Sequence, residues 1–201
     1  VETDSLKVLS ILADASSTIS EGEILQLSAV KNIKTDESAY FKIIEGKTAA
    51  LFAAATEVGA IISNVEDKEA DALANFGKAL GISFQITDDL LDYVGSEKVL
   101  GKNIGDDFKE GKVTLPLIKA ISKSSKEEKR FWEEVINKGM QKSSDLEHAL
   151  LLMRQHNVFD ETRSEAIKWS KKARNYLYIF PESKTKVILQ ELTYFVVERI
   201  T

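Results

Sequence analysis

Apolar residues recur at helical spacing along this whole chain, and no stretch alternates apolar and polar residues for long enough to predict a strand. Only 2 prolines and 10 glycines interrupt the 201 residues. The sequence therefore predicts an all-α protein and, at this length, a single domain over residues 1–201. Helices are predicted over residues 2–27, 38–63, 66–93, 126–137, 144–155, 159–179 and 182–200, and another begins at 115–117.

Three features interrupt this helical pattern. Thr35 is predicted to cap the second helix, because its hydroxyl can accept a hydrogen bond from a free amide of the first turn. Gly46 precedes a run of small residues, so a kink or two abutting helices is expected there. Residues 95–113 hold four glycines and form one long irregular segment, and such loops in compact domains are usually functional.

The helix predicted over 66–93 carries a polar stripe on an otherwise apolar surface. Gln85, Asp88, Asp89 and Asp92 lie at offsets 0, 3, 4 and 7, so they share one face. An apolar helix lies in a core, where three anions are unfavourable unless cations neutralise them. Magnesium binds a few carboxylates together with waters and substrate phosphates. The stripe therefore predicts magnesium-bridged binding of a phosphorylated ligand; the alternative is a solvated charged patch near a helix end.

Basic residues that could complete such a site occur in two other segments. Lys47 and Thr48 directly follow Gly46, and a diphosphate would give both side chains a partner. Lys102 and Lys112 flank a glycine-punctuated loop that follows the acidic helix, so the loop could place their ammonium groups opposite the carboxylates. The alternatives are that Lys47 reaches solvent and that the loop is a plain surface loop. The nucleotide-binding pattern G-x-x-x-x-G-K-[ST] is absent.

Composition excludes several other classes of protein. A net charge of −5 argues against a nucleic-acid partner, which would normally need a basic face. The chain has no cysteine, which rules out disulfides and thiolate metal sites and suits a reducing cytosol. No run approaches 18 apolar residues, so we expect no membrane span and no stable membrane insertion. No signal peptide is recognisable.

Five segments together resemble the all-trans polyprenyl diphosphate synthases. They are residues 22–27, 46–49, 84–93, 100–107 and 110–117. The likeness is greatest to bacterial enzymes that make octaprenyl-type chains for quinones such as ubiquinone. It implies the isoprenoid synthase fold, in which long helices surround a deep cavity, and a cytoplasmic homodimer. The implied reaction condenses an allylic diphosphate with isopentenyl diphosphate, with Mg2+ promoting departure of the allylic diphosphate.

The resemblance also implies roles for individual residues. The carboxylates of the second aspartate-rich motif, which bind magnesium in the family, correspond to Asp88, Asp89 and Asp92. The side chains that hold substrate diphosphate correspond to Lys47, Lys102, Lys112 and Gln85. The catalytic set corresponds to Lys47, Thr48, Gln85 and Lys102, with Thr48 and Gln85 presenting oxygens near the developing allylic cation. Asp106 matches a further position in the family's loop.

The sequence departs from this family in one respect. The family's first aspartate-rich motif and the arginine pair after it have no counterpart here, since Asp4 and Asp14 are isolated acids. We therefore expect the chain to represent the C-terminal two-thirds of a polyprenyl synthase domain, without the N-terminal helices, and to be inactive by itself. Two alternatives are a non-catalytic partner subunit of a prenyl synthase and a terpene cyclase.

Overall fold

The computed structural model describes residues 4–95 and 104–200, and every regular element within these ranges is helical. The all-α prediction is confirmed. The helices, in chain order, are α1 (Leu6–Ala29), α2 (Glu37–Ile44), π1 (Glu45–Ala49), α3 (Ala50–Ile62), α4 (Asp67–Val94), α5 (Asp106–Glu110), α6 (Leu115–Lys123), α7 (Lys126–Trp132), π2 (Glu133–Asn137), α8 (Asp145–Gln155), α9 (Val158–Tyr176) and α10 (Lys184–Glu198). A 3₁₀ turn at Leu177–Ile179 lies between α9 and α10.

Helix α4 is the central element, packed against α3 and α9. It begins where the Glu69 carboxylate accepts a hydrogen bond from the Glu66 backbone amide at 3.1 Å, and Asp67 adds a negative charge to the first turn. Its second half is buried nearly all round, with Ile82, Ile86 and Leu90 fully inaccessible. None of the described helices is both long enough and apolar enough to cross a bilayer.

Two glycines let α4 approach π1 and α3 closely. A Cβ on Gly77 would lie 2.3 Å from the Phe52 carbonyl oxygen, and one on Gly81 would lie 2.7 Å from the Ala49 Cα. Any larger residue at either position would force α4 away from the element that it contacts there. This contact brings the end of π1 against the acidic half of α4, which carries most of the predicted site.

The kink expected at Gly46 is confirmed as the π-helix π1, whose wider turns interrupt the path from α2 to α3. The prediction that Thr35 caps the second helix is wrong. The cap is Asp36, whose Oδ1 accepts from the Ala39 amide at 2.8 Å, because Thr35 lies one position too early to reach the first turn. The described part of segment 95–113 includes α5, a short helix bounded by glycines with left-handed backbone angles.

Candidate functional site

The polar stripe of α4 forms as predicted, but its carboxylates differ in exposure. Asp89 is buried, at 5% exposure, and Asp92 is half-buried. The Asp88 side chain is 48% exposed, and its Oδ1 lies 3.6 Å from a guanidinium nitrogen of Arg199 near the end of α10. The three acids on this one helical face therefore range from buried to solvent-exposed.

Asp89 is held by side chains from two helices. The Tyr40 hydroxyl on α2 donates to Oδ2 at 2.6 Å, and the Gln85 amide nitrogen donates to Oδ1 at 2.8 Å. Burial raises the pKa of Asp89 to about 7; the Tyr40 hydrogen bond opposes this rise, and the nearby charge of Asp107 adds to it. Asp89 is therefore a buried acid whose negative charge the described residues compensate only in part.

Asp92 fixes the start of α5 against the end of α4. Its Oδ2 accepts from the Asp107 amide at 3.1 Å, and its backbone carbonyl accepts from the Gly105 amide at 2.7 Å. Burial, followed by the charge of Asp107, raises the pKa of Asp92 to about 6. Hydrogen bonds from the backbone of Asp107 and of Asp106 to this carboxylate oppose the rise.

Asp107 is a fourth acid at this site, and our sequence interpretation gave it no role. Its side chain is 17% exposed, and its Oδ1 lies 3.2 Å from the Lys112 ammonium, which also lies 2.7 Å from Glu110. Burial raises the pKa of Asp107, Lys112 opposes the rise, and the charge of Asp88 adds to it. Burial lowers the pKa of Lys112, but its bond to Glu110 and the charge of Asp107 outweigh this, so the net shift is upward.

Two residues of π1, Lys47 and Thr48, contact side chains of α1 and of the polar stripe on α4. The Lys47 ammonium donates to Gln26 Oε1 of α1 at 2.7 Å, so this lysine is partly buried and does not extend into solvent. The Thr48 hydroxyl donates to Gln85 Oε1 at 2.7 Å. Gln26 lies in a segment that carries the family resemblance, but only the fold reveals its contact with Lys47.

A cavity of about 20 Å³, enough for roughly one water molecule, lies beside Lys47, Gln85 and Asp89. Its polar lining comprises Gln26, Tyr40, Lys47, Gln85, Asp89, Lys112 and Thr114. Residues from the segments around 47, 85 and 112 therefore meet at one place. Lys102, which we also predicted to bind substrate, lies in residues 96–103, outside the described part of the chain.

The donor set is consistent with a hard divalent cation. Within residues 4–95 and 104–200, no three Asp, Glu or His side chains converge closely enough to hold a metal by themselves. Magnesium does not need such a group, since one or two carboxylates suffice when substrate phosphates and waters supply the rest. Exposed Asp88 and half-buried Asp92 are suitable donors, and the raised pKa values of Asp89 and Asp92 indicate uncompensated negative charge.

Comparison with known proteins places this chain in a family. The polyprenyl synthetase family model matches residues 1–153. Octaprenyl diphosphate synthase of Haemophilus influenzae is 37% identical over 198 residues, covering 98% of this chain and 60% of that protein. The octaprenyl diphosphate synthase of Escherichia coli is 36% identical, with coverage of 97% and 60%. The chain thus spans about 60% of the length of these relatives.

Solved structures give the same result. A decaprenyl diphosphate synthase from Rhodobacter capsulatus superposes with a TM-score of 0.95 at 48% identity, over 100% of this chain and 62% of that one. A polyprenyl synthase from Caulobacter crescentus, complexed with calcium and isoprenyl diphosphate, gives a TM-score of 0.94 at 43% identity, with coverage of 100% and 61%. Sequence and fold agree, and this chain belongs to the polyprenyl synthetase family.

Proposed function

We propose that this chain provides the allylic-diphosphate site of a trans-polyprenyl diphosphate synthase, which joins an allylic diphosphate to isopentenyl diphosphate. One observation carries the proposal: Lys47 and Lys112 reach the same small cavity as Asp89, although these residues come from three separate segments. A helix that served only as scaffold would have no need of a buried acid beside two lysines. The Caulobacter crescentus relative complexed with calcium and isoprenyl diphosphate supports the same ligand class.

Each side chain then has a defined task. Lys47 and Lys112 bind diphosphate oxygens through charge-assisted hydrogen bonds, and Lys47 leaves Gln26 to do so. Asp88, Asp89 and Asp92 would hold magnesium, which would supply positive charge that stabilises the departing diphosphate. Thr48 and Gln85 are already aligned with each other, so their oxygens are preorganised toward the carbon that becomes positive.

The proposed condensation exchanges one bond of the allylic diphosphate for a new carbon–carbon bond. The bond between the allylic carbon and the diphosphate oxygen breaks, and its electron pair leaves with the diphosphate. The alkene of isopentenyl diphosphate supplies the pair that forms the new carbon–carbon bond. Loss of one proton from the adduct restores a double bond. The product is an allylic diphosphate that is one isoprene unit longer, and it can enter another cycle.

We also propose a cytoplasmic homodimer that makes a long prenyl chain for a quinone. The absence of cysteine supports a reducing compartment. Large apolar side chains on the outer surface of α1, such as Leu9 and Leu27, support contact with further polypeptide. The octaprenyl and decaprenyl specificities of the relatives support a long product.

Binding calorimetry tests the proposed site without requiring turnover. The ligand is a thio analogue of an allylic diphosphate, in which sulfur replaces the bridging oxygen so that it cannot ionise readily, titrated with and without magnesium. We expect magnesium-dependent binding by the wild-type chain. Asp88→Asn and Lys47→Ala should each weaken it by at least about tenfold, because each removes a charge-assisted contact worth roughly 1.5–3 kcal/mol.

Asp71→Asn is the matched control for Asp88→Asn. Asp71 is an exposed acid of the same helix, about 25 Å from Asp88 along the helix axis. Asp71→Asn changes the net charge by the same amount as Asp88→Asn and should leave binding of the analogue unaltered. If both variants lose the same affinity for the analogue, the loss comes from the change in net charge and not from a contact made by Asp88. A wild-type chain that binds no analogue would refute the proposal.

A further inference from the structure

We propose that Tyr40 is a positioning residue for the metal-binding face of α4, acting through Asp89; the inference rests on the proposed function. Tyr40 belongs to α2 and is 3% exposed. Its hydroxyl donates to Asp89 Oδ2 at 2.6 Å, a short bond of the kind expected between a phenol and a carboxylate. The sequence pattern alone did not predict a role for Tyr40.

The surroundings of Tyr40 leave its ring little freedom. The ring packs edge-on against Phe41 with 5.6 Å between centroids, and the neighbouring side chains Ile43 and Ile44 are buried. A ring fixed by packing directs its hydroxyl to one place, so the bond to Asp89 requires little additional ordering. The site thus gains a rigid donor from an element that carries none of the proposed ligands.

The bond completes a chain of three donors that ends at one carboxylate. Thr48 donates to the Gln85 carbonyl oxygen, Gln85 donates to Asp89 Oδ1, and Tyr40 donates to Asp89 Oδ2. Both oxygens of Asp89 are therefore engaged, and the carboxylate cannot turn without breaking a bond. The same chain fixes which end of the Gln85 amide points to Thr48.

Losing the Tyr40 hydroxyl should affect metal binding as well as stability. Asp89 would keep one donor and could rotate toward the cavity beside Lys47 and Lys112. The Gln85 amide would then lose its fixed orientation, and the negative charge beside Asp88 would move. Outer partners that orient ligands of this kind commonly change metal affinity by about 10–100-fold.

The experiment measures the affinity of the full chain for Mg2+ in saturating inorganic pyrophosphate by calorimetry. Tyr40→Phe, which removes only the hydroxyl, should raise the dissociation constant for Mg2+ by about tenfold or more. In an Asp89→Asn background the same substitution should have little further effect, because the pathway through the carboxylate is already broken. A purely structural tyrosine would weaken binding equally in both backgrounds.

Tyr93→Phe is the matched control. Tyr93 is another buried tyrosine, and among the described residues its hydroxyl donates to no carboxylate. Because this buried hydroxyl has no hydrogen-bond partner within the described part of the chain, Tyr93→Phe should not lower thermal stability, and it should leave the affinity for Mg2+ unchanged. Affinity preserved in folded Tyr40→Phe, or lost equally in Tyr93→Phe, overturns the inference while leaving the proposed function in place.

Two further outcomes are also decisive. If the wild-type chain binds no Mg2+ with pyrophosphate, the proposed function fails and the role of Tyr40 fails with it. If Tyr40→Phe does not fold, 3,5-difluorotyrosine at position 40 replaces it, since this residue keeps the hydroxyl and makes it a stronger donor. A lowered dissociation constant then supports the inference, and one that stays the same or rises overturns it.

Discussion

At the scale of single residues, the carboxylates of α4 are distinguished by the elements packed against them. Asp89 meets Tyr40 from α2, whereas Asp92 meets the backbone of α5 and Asp88 lies near Arg199 of α10. Helical spacing places the three acids on one face but does not determine their different burial and partners. Burial concentrates unfavourable charge at Asp89, where the local dielectric is lowest.

This charge predicts a pH dependence of stability in metal-free buffer. The folded-state pKa values of Asp89 and Asp92 are about 7 and about 6, whereas an unfolded aspartate has a pKa of about 3.9. Between these limits the folded state binds more protons than the unfolded state, so the free energy of unfolding falls as pH rises. The midpoint of thermal unfolding should therefore decrease from pH 5 to pH 8, with most of the loss complete above about pH 7.

Asp89→Asn isolates the contribution of the buried acid. Calorimetry at several pH values should show a shallower decrease in this variant than in the wild type, since one proton-binding group has been removed. Asp14→Asn, at an exposed acid of α1, should keep the wild-type slope. If Asp89→Asn and the wild type have parallel profiles, Asp89 does not titrate in this range.

At the scale of elements, the position of Lys47 depends on how closely α1 crosses π1. A Cβ on Gly22 would lie 2.3 Å from the Lys47 amide nitrogen and 2.8 Å from the Gly46 carbonyl carbon. Both atoms belong to the backbone, so no side chain can move aside to make room. The crossing also places Gln26, one turn further along α1, where it accepts from Lys47.

Gly22→Ala should therefore destabilise the protein by about 1–3 kcal/mol and weaken diphosphate binding, because π1 must shift. Gly59→Ala is the control. Gly59 lies in α3 with open space around its Cα, so alanine there should stabilise the helix by about 0.5–1 kcal/mol. Chemical denaturation gives both free energies of unfolding. Stability of Gly22→Ala equal to the wild type would show that α1 and π1 can separate at this crossing without loss.

The sequence predicted well those elements whose signals are local. The interruption at Gly46 and the shared face of Gln85, Asp88, Asp89 and Asp92 follow from residue type and helical period, and both are found. Asp107 was missed because its approach to the acidic face depends on the path of the loop. The cap at Asp36 was misplaced by one residue, since neighbouring Thr35 also suits that position and local pattern does not separate them.

At the scale of the whole molecule, several apolar side chains lie on the surface. Leu6 and Leu27 of α1 are 84% and 73% exposed, and Ile188 and Phe195 of α10 are also exposed. A surface of this kind usually meets other protein. The relatives are longer than this chain, which spans about 60% of their length.

These 201 residues, tested alone, should bind diphosphate with magnesium but not condense prenyl units, because they hold only one Asp-Asp-x-x-Asp stretch. Supplying in trans the part of the Haemophilus influenzae relative that this chain does not match should restore transfer of labelled isopentenyl diphosphate into an extractable product. Size-exclusion chromatography first establishes that the two polypeptides associate. Asp88→Asn should then lower the rate by about 10²–10³, as loss of a charge-stabilising group typically does, whereas Asp71→Asn should not. An associated pair without transfer would count against the enzyme itself.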